Sequence, residues 1–97
     1  MRDLTIDGML SGTGVRDSLA GGYLDPQELG LSLELVQRIR KWVIQYETAH
    51  YVQFKDETEN QRLDREGIEI TRQARDQLPT SKIEYFSNAR MQKLAFK

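Results

Sequence analysis

The chain has 97 residues with 14 Lys plus Arg, 15 Asp plus Glu, one His, no Cys and a formal net charge of −1. A chain of this length supports one small domain, residues 1–97, with a stability margin of about 5–10 kcal/mol. The absence of cysteine excludes a disulfide framework and a thiolate metal site, and a single histidine excludes a histidine-rich metal centre, so no cofactor is expected.

Residues 1–31 hold six of the seven glycines and carry a charge of −3, which reads as a turn-rich, acidic head. Within it, Leu4 and Ile6 alternate in a short strand over 2–6. Asp25, Pro26 and Glu28 have the order of an N-cap, a first-turn proline and an acidic partner, predicting one helical turn over 26–29 that Gly30 ends. The spacing of Leu35, Ile39, Trp42, Tyr46 and Ala49, flanked by Val36, Val43 and His50, predicts a helix over 32–53. Its apolar sector spans roughly 140°, which suits a face turned to a core. Ser32 is its expected N-cap, with Leu31 stapling the first turns. A second helix is predicted over 58–77, started by a capping box of Thr58 and Gln61 and stopped before Pro79. Its buried side reads Leu63, Gly67, Ile70, Ala74 and Leu78, and Gly67 marks a close backbone approach. The outer side offers Arg62 with Glu66, Arg65 with Glu69 and Arg72 with Asp76. Alternation in Lys-Ile-Glu-Tyr-Phe-Ser predicts a strand over 82–87. The tail, 88–97, carries Met91, Leu94 and Ala95 on one side of a short helix capped by Ser87 or Asn88. The resulting fold class is α+β: an antiparallel two-helix hairpin on a small antiparallel sheet built from the N- and C-terminal strands.

The chemistry-bearing residues are few. Gly12-Thr13-Gly14 has the glycines of a phosphate-cradling loop but lacks the third glycine and the Gly-Lys-Ser/Thr of the nucleotide-binding motifs, so a tight turn is expected. His50 lies within the apolar stripe, where a core histidine bonded to a carbonyl or carboxylate is the expectation; as a general base it needs a partner among Asp56, Asp17 and Ser11. Asp56, Glu57 and Glu59 suit the N-terminus of the second helix and lack the glycine turn of a calcium loop. The basic tail of Arg90, Lys93 and Lys97, with Tyr85, Phe86 and Phe96 nearby, is expected to dock on the acidic head rather than to bind single-stranded nucleic acid. Charges interrupt residues 1–20 (Arg2, Asp3, Asp7, Arg16, Asp17) and no apolar run approaches the ~18 residues of a span, so a cytoplasmic protein with neither a membrane nor a nucleic-acid partner is expected.

Several segments together resemble a known kind of protein. G-T-G-V-R-D (12–17), Gly21-Gly22 with Tyr23, L-G-L-S (29–32), W-V-I-Q-Y-E-T-A-H-Y (42–51), Phe54 with Asp56, L-D-R-E-G (63–67) and L-P-T-S-K-I-E-Y-F-S-N (78–88) are similar to stretches of short bacterial proteins resembling the immunity proteins of polymorphic and contact-dependent toxin systems. The resemblance implies a non-enzymatic protein that binds a cognate toxin domain, and it brings no catalytic residues with it. An acidic surface suits such a partner. The expected contact residues are Arg16, Asp17, Tyr23, Asp25, Asp56, Glu57 and Glu59. Two other readings remain open: a small enzyme or ligand-binding domain using the Gly12–Asp17 loop with Arg16 and His50, and a homodimer formed through Ile44, Val52 and Ile68.

Overall fold

The computed structural model describes residues 2–96 and orders them as β1 (Asp3–Asp7), β2 (Val15–Asp17), a 3-10 turn (Pro26–Leu29), α1 (Leu33–Tyr51), α2 (Glu57–Gln77), β3 (Lys82–Ser87) and β4 (Gln92–Leu94). The architecture is α+β, with the two helices against a four-stranded mixed sheet of order β2-β1-β3-β4.

Local chemistry sets most element ends. Ser32 caps α1 by accepting from the Leu35 amide at 3.2 Å, and Asp25 caps the 3-10 turn by accepting from Gln27 at 2.9 Å, with Gly30 closing that turn in the left-handed region. The N-cap of α2 is Asp56, which accepts from the Glu59 amide at 3.1 Å, so the helix begins at Glu57 rather than at a Thr58 capping box. An aspartate two residues earlier supplies both the acceptor and a charge favourable to the helix dipole.

Contacts between the helices run in opposite directions along the chain: Ser32 meets Gln77, Arg38 meets Glu66, and Trp42 Nε1 donates to the Leu63 carbonyl at 2.9 Å. The helices are therefore antiparallel. Leu35, Val36, Ile39, Trp42, Tyr46 and Ala49 are buried on α1, as are Leu63, Ile70 and Ala74 on α2, Leu4 and Ile6 on β1, and Ile83 and Tyr85 on β3. One cluster joins them all. Gly67 does mark a close approach, but by a side chain: a Cβ there lies 2.3 Å from Cε1 of the Tyr85 ring.

Three expectations are corrected. The N- and C-terminal strands do pair, but β1 and β3 run parallel, with Leu4 opposite Ile83 and Ile6 opposite Tyr85. β2, α1, α2 and β3 each reverse the chain once after β1, and four reversals restore the original direction. The head contains a strand, β2, antiparallel to β1, which at three residues is too short to show alternation. The tail forms β4, antiparallel to β3, in place of a helix. Ser87 Oγ does accept from the Arg90 amide at 3.1 Å, as a cap would, but it also donates to Asp64 at 2.8 Å, and Asn88 Oδ1 accepts from the Gly8 amide at 3.0 Å, so the chain closes a turn over 88–91 and returns as β4.

Candidate functional site

The sheet turns Leu4, Ile6, Ile83 and Tyr85 toward the helices and its other face outward, where Asp7 at the end of β1 is almost fully buried all the same. Arg16, diagonal to it on β2, donates to Asp7 Oδ2 at 3.0 Å; the Tyr23 hydroxyl donates to Oδ1 at 2.7 Å and the Met9 amide to the same oxygen at 3.3 Å. Partial burial of the ring, and then the Asp7 carboxylate, push the Tyr23 phenol above its ordinary range, so it stays a donor.

The loop between β1 and β2 is packed rather than open. A Cβ on Gly12 lies 2.7 Å from the Tyr23 ring, and one on Gly14, whose φ is +93°, lies 2.6 Å from Ile39 Cγ2. Thr13 Oγ1 donates to the Leu24 carbonyl. These glycines admit side chains, and the Arg16 guanidinium is held by Asp7. A hollow of about 490 Å³ beside Gly12 and Thr13 is completed by Asp25, Pro26, Arg40, Val43 and Ile44.

The second polar centre lies between the helices and the sheet. Asp64 accepts from Tyr85 at 2.6 Å and from Tyr46 at 3.0 Å on Oδ1, accepts from Ser87 on Oδ2, and has Arg90 Nε 3.7 Å away. Tyr46 also accepts from the Ala89 amide at 2.9 Å. Burial raises both phenols above their ordinary range. No buried side-chain polar atom is left unpaired among the described residues. Asp64 stands one residue after the predicted stripe position Leu63, and nothing in the period marks it as buried, since a charged residue carries no period of its own; its tyrosines sit on the stripes of α1 and β3.

His50 is bonded to a carbonyl, as the core reading expects: Nε2 lies 2.9 Å from the Gly8 carbonyl, which only accepts, so Nε2 carries the proton. Its ring meets Phe54 edge-on at 4.8 Å. None of Asp56, Asp17 and Ser11 bonds to it, so no base and acid pair is assembled there.

The seven expected contact residues are not brought into one cluster of bonds. Arg16 and Tyr23 meet on Asp7. Asp17 holds its own turn, accepting from the Leu19 and Ala20 amides at 2.9 Å, and these two bonds lower its pKa. Asp25 and Asp56 are caps. Glu57 pairs with Arg90, which holds its carboxyl below the usual range, and Glu59 pairs with Arg62. Arg62 therefore turns to Glu59, and Glu66 is bound instead by Arg38 of α1 at 2.5 and 2.8 Å. The tail meets the head through Asn88 and Gly8 rather than through charge: Arg90 pairs with Glu57, and β4 lies at the opposite edge of the sheet from β2. Lys93 pairs with Glu84 at 2.7 Å, and Phe96 lies under the guanidiniums of Arg75 and Arg72, at 4.5 and 5.3 Å. Tyr85 is core, and Lys97 lies outside the described residues. Of the three dimer candidates, Ile44 and Val52 are exposed, whereas Ile68 packs partly against the core.

Among the described residues no group of three His, Asp or Glu is placed to hold a metal ion, and no helix is long and apolar enough to cross a membrane. The molecule is a small α+β scaffold whose singled-out ionisable groups bond within the chain. The chain belongs to the Serratia CdiI immunity protein-like family, whose model matches residues 8–88. No curated protein matches it significantly. The match opens at Gly8 and closes at Asn88, the two residues that bond to each other across the ends of β1 and β3.

Proposed function

We propose that this protein neutralises a cognate toxin domain by binding it directly and stoichiometrically, without catalysis, in the cytoplasm of the cell that makes both. The observation that carries the reading is the immunity-protein family match over residues 8–88. The geometry agrees with it: the Asp7 and Asp64 centres lock the strand ends and helices into one scaffold, and a preorganised scaffold loses little conformational entropy on binding. Glu57 and Glu59 are the acidic residues proposed to face the toxin, since their side chains remain 59% and 42% exposed. Asp56 shapes that surface by capping α2, whereas Arg16, Asp17, Tyr23 and Asp25 make their bonds within the head.

The test is co-expression of the tagged protein with the product of the adjacent reading frame, scoring co-purification and growth. A one-to-one complex that restores growth is the expected result. Absence of both complex and rescue overturns the reading.

A further inference from the structure

α1 meets α2 through Arg38, Trp42 and Gln45, whereas Arg40, Val43 and Ile44 fall on its other side, where the head closes the hollow of about 490 Å³ against them. Bonds within the chain set its walls. Thr13 Oγ1 donates to the Leu24 carbonyl, the Leu24 amide donates to the Val15 carbonyl at 2.9 Å, and a Cβ on Gly14 lies 3.0 Å from Val43 Cγ2, so the head sits tight on the helix. Pro26 is buried and Ile44 is 66% exposed, which carries the apolar lining from the interior out to the surface. Two charges of opposite sign line the hollow without pairing with each other. Arg16, Arg38, Arg62, Arg75 and Arg90 are each held by a bond within the chain, but Arg40 makes no hydrogen bond or ion pair among the described residues. Asp25 uses Oδ1 to accept from the Gln27 amide and leaves Oδ2 unbonded.

A preformed, largely apolar concavity of a few hundred Å³ with a small number of unpaired polar groups has the build of a binding site. The two charges specify what enters it. An anion alone is repelled by Asp25 and a cation alone by Arg40, so a chain segment that carries both signs about an apolar side chain complements the whole lining. The hollow and Glu59 flank the same helix: Glu59 pairs with Arg62, and Arg62 donates to Gln45, the residue after Ile44, at 3.2 Å. A helix with its side chains is about 10–12 Å across, so a partner of ordinary interface size covers both flanks.

We infer that the toxin domain sits across the outer face of α1 and places an apolar side chain in this hollow, with an acidic toxin residue on Arg40 and a basic one on Asp25. The inference rests on the neutralisation reading above and adds its surface and the local chemistry of the partner. A guanidinium beside apolar walls holds a carboxylate through two parallel bonds, which makes Arg40 the strongest single contact.

The test measures affinity between the purified full-length protein and the purified product of the adjacent reading frame. Arg40→Glu is expected to melt as the wild type does and to bind about a hundredfold more weakly. Ile44→Ser is expected to lose about tenfold. Asp25→Asn, which keeps a capping side chain and removes the charge, is expected to lose about fivefold. Arg65→Glu makes the same change of charge as Arg40→Glu at an exposed, unbonded arginine of α2 and is expected to bind within about twofold. Wild-type affinity in Arg40→Glu or Ile44→Ser, in a complex the wild type does form, overturns the placement and leaves neutralisation standing. An equal loss in Arg65→Glu makes the effect one of overall charge and also overturns the placement. A wild type that forms no complex overturns neutralisation and the placement together. A dimer of this chain that Arg40→Glu abolishes assigns the hollow to self-association and likewise overturns it.

Discussion

Asp7 and Asp64 are both buried carboxylates met by tyrosine and arginine, yet they stabilise different things. Asp64 collects donors from α1 and β3 and lies inside the packing. Asp7 collects them from residues 9, 16 and 23, all within the head, and lies on the outer face of the sheet. The first bond set joins elements far apart in sequence, while the second closes a local hairpin. A buried charge thus reports on global stability only when its partners come from different parts of the fold.

Substitutions sharpen this contrast in order of size. Asp64→Ala strands two buried phenols and a hydroxyl and is expected to cost about 3–5 kcal/mol, read as a lowered denaturant midpoint or failure to fold. Gly67→Ala forces a Cβ into the Tyr85 ring and is expected to cost about 1–3 kcal/mol, with Tyr85→Leu in the same background recovering part of it. Tyr23→Phe removes one partly exposed bond to Asp7 and is expected to cost about 1 kcal/mol, with exchange protection lost in β2 before β3. Equal losses for Asp64→Ala and Tyr23→Phe would erase the distinction. Reversing Glu59 to Lys is expected to leave the melting temperature unchanged, because exposed pairs contribute little.

The pH dependence is shared by the two centres. The phenols of Tyr46, Tyr85 and Tyr23 are raised above their ordinary value of 10.0. The unfolded chain releases these protons first, so stability is fully present below pH 10 and falls as pH rises beyond it. Each phenol of the Asp64 pair contributes a slope of up to about 1.4 kcal/mol per pH unit. Tyr23→Phe and Tyr85→Phe are each expected to reduce the alkaline slope by a similar amount between pH 9 and 11, where both phenols keep their protons in the fold while the unfolded chain loses them, as followed by denaturant unfolding. In acid the sign reverses. Glu66, held low by Arg38, and Glu84, held low by Lys93 and Lys82, stabilise above the unfolded value of 4.5 and lose that contribution as pH falls through their depressed values.

Much of the scaffold was legible from residue order. The α1 stripe is buried at six of its eight expected positions, with Val43 and His50 half-buried at its flank, and the strand over 82–87 occupies its expected residues. The candidate site was less legible. Arg16 and Tyr23 are among the expected contact residues and do meet, but in the sequence the carboxylate that joins them is one acidic residue of the head among five. The burial of Asp64 and Asn88 has no mark in the sequence, because a polar residue is marked as buried only by partners supplied from distant elements.

By itself the sequence determined what depends on neighbours within a turn or two: the apolar periods of α1, α2 and β3, the caps at Ser32 and Asp25, and the close approach at Gly67. Only the tertiary structure decided the parallel sense of β1 and β3, the pairing of Glu66 with Arg38 rather than Arg62, the strand in place of a helix after Ser87, and the hollow between α1 and the head. The physical reason is range. Periodicity and capping act through bonds a few residues long, whereas strand direction and side-chain partners follow from how many times the whole chain reverses and which faces those reversals bring together.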